Sequence, residues 1–554
     1  MPNLSRQQQL MYLSKANPQL SQRAQAELFG ITRSQWRCCL ALQKARNYSG
    51  SEMAFFGTRE GTALLTRWVG AAHLLMTGQG AMGIRQVSEL IRLSGLDSYV
   101  AQAYGSQQAL NVTIENLILA YQNEQKQRLQ QHDKPVREIS LCEDETYHPQ
   151  TCLVAVEPVS GYIVAECYAE DRSAETWNRE VARGLEGLNV KVIQVTSDQA
   201  SGLKRHTKDL GASSSPDLFH VQYDMGKAAY RLLKAAQTRA ETALKSARAN
   251  TVKAMEEQQA QEARPRSRGR PSRRFVRAVE LAQAREVMAT MNLEEAQKNY
   301  TDAVDCVAAV SEIYHPYRLT DGSPGTPEAC QAELTACFDK LTKTVRSVKL
   351  TPRCLSLLEK VRAMIPILVV ALSFFFATSK RKVAALKLPE TVECLVHQNL
   401  IPAIYLDRVA ARTGDAGERK RLLALSTALL TPLKHPDNPL QQLPPGKILE
   451  VEATAIECAN LFQRSSSAVE GRNGQLSLHH HGQHRLSTRK LPVKTAVHNY
   501  HIRRADGTTA AERFFGAPPD ELLPWILARL KPLSRSAQKR PKKPKPAYLS
   551  RLAA

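Results

Sequence analysis

Up to about residue 130 the apolar positions recur every three to four residues, which predicts helices; at Val136 the spacing shortens and strands begin. Glu138–Thr146 (EISLCEDET) reads as a strand, and Cys152–Val156 and Tyr162–Tyr168 flank the turn Glu157–Gly161 as a β-hairpin. An amphipathic helix over Ser173–Leu188 leads to a strand over Asn189–Asp198, and the apolar run Leu218–Tyr223 (LFHVQY) reads as a fifth strand. Three antiparallel strands, a helix, then strands alternating with helices is the order of an RNase H-like α/β fold. From Asp224 to about Ala263 the pattern is helical, the arginine-rich ARPRSRGRPSRR interrupts it, and helix resumes over Phe275–Ile313. Two long helices around a polar tip predict an antiparallel coiled-coil hairpin with a basic end. After the loop Pro316–Pro327, Glu328–Leu461 is mostly helical, and Ser465–His481 reads as a polar helix with a serine cap at its start.

The front of the chain carries its own signal. Leu20–Leu42 (LSQRAQAELFGITRSQWRCCLAL) predicts a short helix, a turn at Gly30-Ile31 and a second helix capped by Thr32. Helix-turn-helix modules use such a glycine turn. In that reading Leu28, Ile31 and Trp36 close the core, while Arg33, Ser34, Gln35 and Arg37 face a major groove. Arg85–Ala103 repeats the helix, glycine turn, helix shape. The expected organisation is a DNA-binding region (1–50), a helical region and possible second module (51–132), the first part of the core (133–224), a helical insertion (225–446), the final part of the core (447–516) and a basic tail (517–554). Ala363–Ser379 is uncharged, but it is short for a spanning helix and contains Pro366, so a buried core helix is expected.

Composition sharpens this picture. Lys and Arg number 75 against 53 Asp and Glu, a net charge of +22, which points to a polyanionic partner, most commonly nucleic acid. Six arginines fall in Ala263–Arg274 and seven Lys/Arg in Lys531–Pro546, with no acid in either segment. Arg268, Arg270, Arg273, Lys542 and Lys543 are the expected phosphate contacts there. The 11 cysteines form no CxxC pair, which argues against zinc fingers and disulfide scaffolds, and MPNLSRQQQL lacks the apolar core of a signal peptide. No Walker loop, GxGxxG stretch or GxSxG elbow is present, so the usual ATPase, dehydrogenase and serine-hydrolase readings lack support.

Three acids stand where chemistry is expected. Asp144 lies in the first strand, Asp198 ends the fourth and Glu470 opens a late helix. First and fourth strands are neighbours in an RNase H-like sheet, and a helix packed beside them adds the third carboxylate. Such an oxygen-donor set suits Mg²⁺, and a pair of such ions serves in-line phosphodiester displacement. Strand alternation puts Glu143 and Glu145 on the face opposite Asp144. Glu452 and Glu457, on the preceding helix, are rivals to Glu470. His220 and Asn473 are possible accessory residues; the run His479-His480-His481 reads as an exposed helix end, and Trp177 and Phe514-Phe515 read as core.

The stretches CEDETYHP, VTSDQASGL, FHVQYDMGKA and SSSAVEGRNGQLSLHHHG resemble the catalytic core of bacterial DDE-type insertion-sequence transposases. The ending HNYHIRRADGTTAAERFFG resembles a closing segment common in those enzymes. The resemblance covers residues ~136–230 and ~447–516. It implies an RNase H-like core, Asp144, Asp198 and Glu470 as catalytic and metal-binding acids, and two Mg²⁺ (or Mn²⁺) ions. It also places His220 in the strand after the second acid and Asn473 one turn beyond Glu470. The implied activity is hydrolysis and strand transfer at transposon ends. The implied partners are double-stranded DNA, as terminal inverted repeats and target, and further copies of the chain, in a bacterial cytoplasm and without a membrane. A non-catalytic DNA-binding protein of the same descent and an RNase H-like structure-specific nuclease are the alternatives. The 271 residues between Asp198 and Glu470 exceed what a compact core needs, although some such transposases carry a helical insertion there.

Overall fold

The computed structural model describes residues 19–28, 30–37, 40, 55–56, 58–130, 136–148, 150–265, 273–348, 351–483, 486–531 and 533. Strand β1 (Arg137–Tyr147) is apolar on both faces over its middle. Ile139 and Leu141 enter one core and Cys142 another, as the period of two requires. β2 (Thr151–Glu157) and β3 (Tyr162–Ala169) add antiparallel on one side of β1. Gly161 closes their turn at φ +75°, where a Cβ would come within 2.7 Å of the Arg504 guanidinium, so glycine suits this turn. β4 (Val190–Ser197) and β5 (Ser213–Pro216) add parallel on the other side. The order is β3-β2-β1-β4-β5.

Helix α1 (Gln22–Leu28) meets the helical residues 33–37 at Gly30, φ +59°. Thr32 Oγ1 accepts from Gln35 N (3.2 Å) and Gln35 Oε1 accepts from Thr32 N (2.9 Å), a reciprocal cap. Ala26 and Trp36 are buried together. Leu28, expected in that core, is 60% exposed, because two residues beyond Ala26 lie on the far side of the helix. α2 (Arg59–Ala72) widens into the π-helical turns His73–Gln79. α3 (Ile84–Leu93) ends before Gly95, a single 3₁₀ turn follows at Leu96–Ser98, and α4 starts only at Tyr104 and runs to Leu129. The second helix expected within Arg85–Ala103 is therefore absent. α4 instead buries Ile114, Ile118, Tyr121 and Leu129 in the core that contains Ile139 and Leu141 of β1. α5 (Ala174–Leu185) and α6 (Ser201–Asp209) cover the same face, with Trp177, Val181 and Leu203 inside.

The run Leu218–Tyr223 is not a strand. It opens α7 (Leu218–Glu262), and the fifth strand is the polar Ser213–Pro216. Asp217 stops the strand by accepting from Phe219 N (2.9 Å), and Leu218, Val221 and Met225 are buried at helical spacing while Phe219 and Tyr223 stay exposed. A short apolar run fits either element, and the serine strand carries no apolar signal. α8 (Arg274–Ile313) packs back along α7 as the expected hairpin. α9 (Pro327–Arg346), α10 (Pro352–Arg362), α11 (Ile365–Ala384), α12 (Glu390–Leu395), α13 (Ile401–Arg412), α14 (Ala416–Leu430) and α15 (Pro445–Leu461) complete a helical mass. The stretch Pro352–Ala384 is long and apolar enough to cross a membrane by length and composition. In the fold α11 buries Leu368, Ala371, Leu372 and Phe375 at spacings of three, one and three, a single face of a core helix, and leaves Val370 exposed.

The helical mass leaves and rejoins the sheet at one place. Leu218 N donates to Arg464 O (2.9 Å), Ser215 Oγ to Gln463 O (3.4 Å) and Ser466 Oγ to Asp217 Oδ2 (2.6 Å). Ser466 precedes α16 (Ser467–Gly482), but its hydroxyl is committed to Asp217 and does not cap the helix, contrary to expectation. α16 lies on the β1–β2 face through Val469 and Leu476, opposite Cys142 and Val154. Arg472 on α16 makes a bidentate pair with Glu166 of β3 (2.6 and 2.7 Å), and Thr495 Oγ1 donates to the same carboxylate (2.5 Å). α17 (Lys490–Tyr500), α18 (Ala510–Phe515) and α19 (Leu522–Arg529) then close the other face. Asn499 bonds both the N–H and the C=O of Ile163 at 2.9 Å, and Thr509 with Glu512 caps α18 in a capping box. The closing HNYH and TTAAER stretches thus have a structural use. The architecture is an α/β sheet with N-terminal helices and a large all-helical insertion between β5 and α16.

The buried pair gives a stability test. Arg472→Met leaves the Glu166 carboxylate buried without its partner, which costs ~3–5 kcal/mol, whereas Arg472→Met with Glu166→Gln recovers much of that loss. Thermal melts of both variants check this, and equal melting of Arg472→Met and the parent would show that the pair does not hold α16.

Candidate active site

Asp144 and Asp198 stand at the same end of two adjacent parallel strands. In the β1–β4 register Cys142 faces Thr196, and two residues further along lie Asp144 and, just past the strand, Asp198. Ligands of α/β sheets gather at this carboxyl edge. α16 crosses the same edge, with Glu470 exposed in its first turn and Asn473 one turn on, whose Nδ2 donates to Asp144 Oδ2 (2.9 Å). The Asp144 carboxyl is pushed up to about 7, first by burial, with the charges of Glu470 and Asp198 adding; a backbone hydrogen bond at Glu145 and the nearby His220 act against it. Three acids from β1, the end of β4 and α16 therefore share one electrostatic neighbourhood.

The neighbouring glutamates lie on the other face. Glu143 is fully buried with Oε1 3.2 Å from His206 Nε2, and Glu145 pairs with Arg172 (2.9 Å) on the side of Trp177. Glu457 bonds Lys382 (3.2 Å), which also reaches Glu138 (3.4 Å) near the start of β1, roughly 20 Å of strand before Asp144 at ~3.3 Å per residue. Glu452 is exposed on α15, and the acids that chiefly raise Asp144 are Glu470 and Asp198.

Asp198 is held by backbone and by residues that sequence reasoning missed. Its Oδ1 accepts from Ala200 N (2.8 Å), and Gln199 beside it adopts φ +66°, uncommon for a residue with a Cβ. Gln199 keeps this conformation through its side chain, which bonds Ser214 Oγ (2.9 Å) and Ser215 O (3.3 Å) of β5. No pattern in VTSDQASGL announces that role. Asp217 was missed too, though an Asp before an apolar run is a cap signal: it holds Phe219 N, Ser466 and His220 together. His220 lies in the first turn of α7 and not in a strand, because α7 starts at Leu218. Its Nδ1 is 2.9 Å from Asp217 Oδ2, and its pKa is raised, chiefly by that bond and further by Asp144 and Asp198.

Residues 396–542 match a family model described as "Family of unknown function (DUF6399)". The match includes Glu470, Arg472 and Asn473 but neither aspartate. No curated protein and no solved structure matches the chain.

Of the other expected site residues, Arg33, Gln35 and Arg37 are exposed on the helical residues 33–37, and Arg273 is exposed at the start of α8. Arg268, Arg270, Lys542 and Lys543 lie outside the described residues. The run His479-His480-His481 ends α16: His481 is exposed, as expected of a helix end, whereas His479 and His480 are half-buried, with the His480 ring stacked on His148 (5.5 Å). Trp177 and Phe514 are core, as expected, while Phe515 is half-buried.

The donor set fits a hard divalent cation. It is all oxygen, and Asp144 bears the repulsion of two further acids without a Lys or Arg bonded to it. Among the described residues no three His, Cys, Asp or Glu side chains already stand close enough to form a ligand set. The proton on Asp144 is held more tightly in the folded chain than in the unfolded one. That contribution to stability is full below the ordinary value of 3.8 and is lost as pH rises through about 7. Asp144→Asn should accordingly melt higher than the parent at pH 8, by up to ~4 kcal/mol, and equally at pH ~3. Mg²⁺ should stabilise the parent at pH 8 more than the variant. Melting curves across pH, with and without Mg²⁺, check both statements; a variant no more stable than the parent at pH 8 contradicts the crowding of charge.

Proposed function

We propose that the chain is a DDE-type DNA transposase on an RNase H-like core, cutting phosphodiester bonds at transposon ends and joining the freed ends to target DNA. The observation that carries this reading is the Asp144 carboxyl, crowded by Asp198 and Glu470 although 271 residues of chain separate those two acids. The strand order with β1 between antiparallel β2 and parallel β4 supports the core, and the +22 charge and the exposed Arg33 and Arg37 support a DNA partner.

In this reading Asp144, Asp198 and Glu470 hold two Mg²⁺ or Mn²⁺ ions, which when bound lower the pKa of a water and neutralise charge on the leaving oxygen. Asn473 aims the Asp144 carboxylate through its hydrogen bond, and the strained Gln199 backbone fixes Asp198. Asp217 orients the His220 imidazole toward the edge where a scissile phosphate enters. Hydrolysis releases a 3′-hydroxyl; in transfer that hydroxyl attacks a target phosphodiester and displaces another 3′-oxygen, so one bond forms for each one broken. Phe219 and Tyr223, exposed on one face of α7 with ring centroids 6.3 Å apart, offer a surface beside the acids against which DNA bases stack.

Asp144→Asn, Asp198→Asn and Glu470→Gln should each abolish end cleavage and strand transfer together and leave DNA binding intact, while Glu452→Gln and Glu457→Gln cut normally. Nicking of a labelled terminal repeat in Mg²⁺ and Mn²⁺ tests this. Normal cutting by all three acid variants sinks the enzyme reading; normal cutting by Glu470→Gln with a dead rival moves the third acid.

Arg33→Ala and Arg37→Ala should each weaken binding to the specific ends by ~1–3 kcal/mol in gel shifts. Unchanged affinity and preference in both would remove residues 1–50 from end recognition.

A further inference from the structure

The α7–α8 hairpin uses one seam of each helix. α8 turns Phe275, Val279, Ala282, Glu286, Ala289 and Leu293 inward at spacings of four and three, and α7 answers with Leu244, Ala247, Thr251, Ala254 and Gln258. These positions are buried or half-buried. At 100° per residue the opposite side of α8 is expected to be polar, as on any two-stranded hairpin in water. It is not: Leu281, Val287, Met288 and Met291 are 53%, 59%, 58% and 58% exposed, with Ala284 exposed between them. Leu281, Ala284, Met288 and Met291 repeat at three, four and three, which is a second seam.

The ends of this second seam bear opposite charges. Arg277 lies four residues before Leu281 and Glu295 four residues after Met291, both exposed on the same side of the helix, and neither forms an ion pair among the described residues. The series is self-complementary about position 286. Turned end for end, Leu281 meets Met291, the small Ala284 meets the large Met288, and Arg277 meets Glu295 at both ends. A parallel arrangement would set arginine beside arginine and glutamate beside glutamate. The charged ends span ~27 Å at about 1.5 Å per residue, a five-turn contact, and methionine side chains adapt to such a facing surface.

We propose that the outward face of α8 is a homodimer interface, in which two copies pack their α8 helices antiparallel about a two-fold axis level with Glu286 to form a four-helix bundle from two hairpins. The interface is isologous, so each contact occurs twice and the assembly closes at two. The proposal rests on this seam alone and stands whether or not the acids cut DNA.

The test is the mass of the full-length chain by light scattering and sedimentation over a dilution series. The parent should be a dimer that dissociates on dilution. Leu281→Glu with Met288→Glu should weaken association by ~10-fold or more, since a charge is then desolvated in an apolar seam without a partner. Arg277→Glu sets two acids together at both ends and should weaken it too, and adding Glu295→Arg should restore it. Circular dichroism verifies that each variant keeps its helices; these positions are exposed within one copy, so folding should be unaffected. A parent that is monomeric at all concentrations overturns the proposal, as does a dimer indifferent to Leu281→Glu with Met288→Glu. Failure of the reciprocal charge exchange to restore association overturns the antiparallel register. A monomer whose binding to DNA or to anionic vesicles falls in the Leu281→Glu, Met288→Glu variant assigns the face to that ligand and overturns the dimer.

Discussion

Strand β1 is enclosed on both faces, and the alternation of its side chains governs what surrounds it. Ile139 and Leu141 draw α4 and α5 onto one face, and Cys142 draws α16 onto the other. Glu143 follows the first set and ends in a fully buried contact with His206; Asp144 follows the second and ends beside Asn473, with Glu470 a turn away on the same helix. A slip of one residue in the β1–β4 pairing would exchange these acids and bury Asp144 against Trp177 and Val181. Register and chemistry are therefore one constraint.

The helical insertion is compatible with that constraint because it leaves and returns through one junction. Bonds between residues 215–218 and 463–466 tie its two ends together, so α16 arrives at β1 as if the chain had never departed. Insertions with adjacent ends cost a fold little beyond loop entropy, which grows only slowly with length. Arg472 and Glu166 then fasten α16 to β3 in a site with little water, where a bidentate pair is directional as well as strong. The same residues that set the helix on the sheet set Glu470 at its edge.

Placing several acids at one edge opposes folding, and the structure shows how that is tolerated. Asp144 keeps its proton up to about pH 7, Asp217 is covered by a backbone N–H, a hydroxyl and His220, and Glu470 stays at the surface. Only Asp198 needs strain nearby, and the Gln199 side chain contains it by bonding to β5.

The sequence by itself determined the four apolar strands, the parity that separates Asp144 from Glu143 and Glu145, the long hairpin and the glycine turn at Gly30, because periodicity and local turn chemistry are written in neighbouring residues. It also singled out Asp144 and Asp198 as acids at one sheet edge. Only the tertiary structure decided the rest. Glu470 lies within reach of the Asp144 charge, whereas a lysine from α11 holds Glu457 at the far end of β1, a contact across 75 residues of chain. The polar β5, the helical start at Leu218, the bond that takes Ser466 away from its own helix and the 3₁₀ turn at Leu96–Ser98 depend on partners distant in sequence, or on competition between strand and helix that a short apolar run leaves open. The reason is physical: local patterns state which face of an element is apolar, while the choice among equivalent polar groups is made by whatever the fold packs against them.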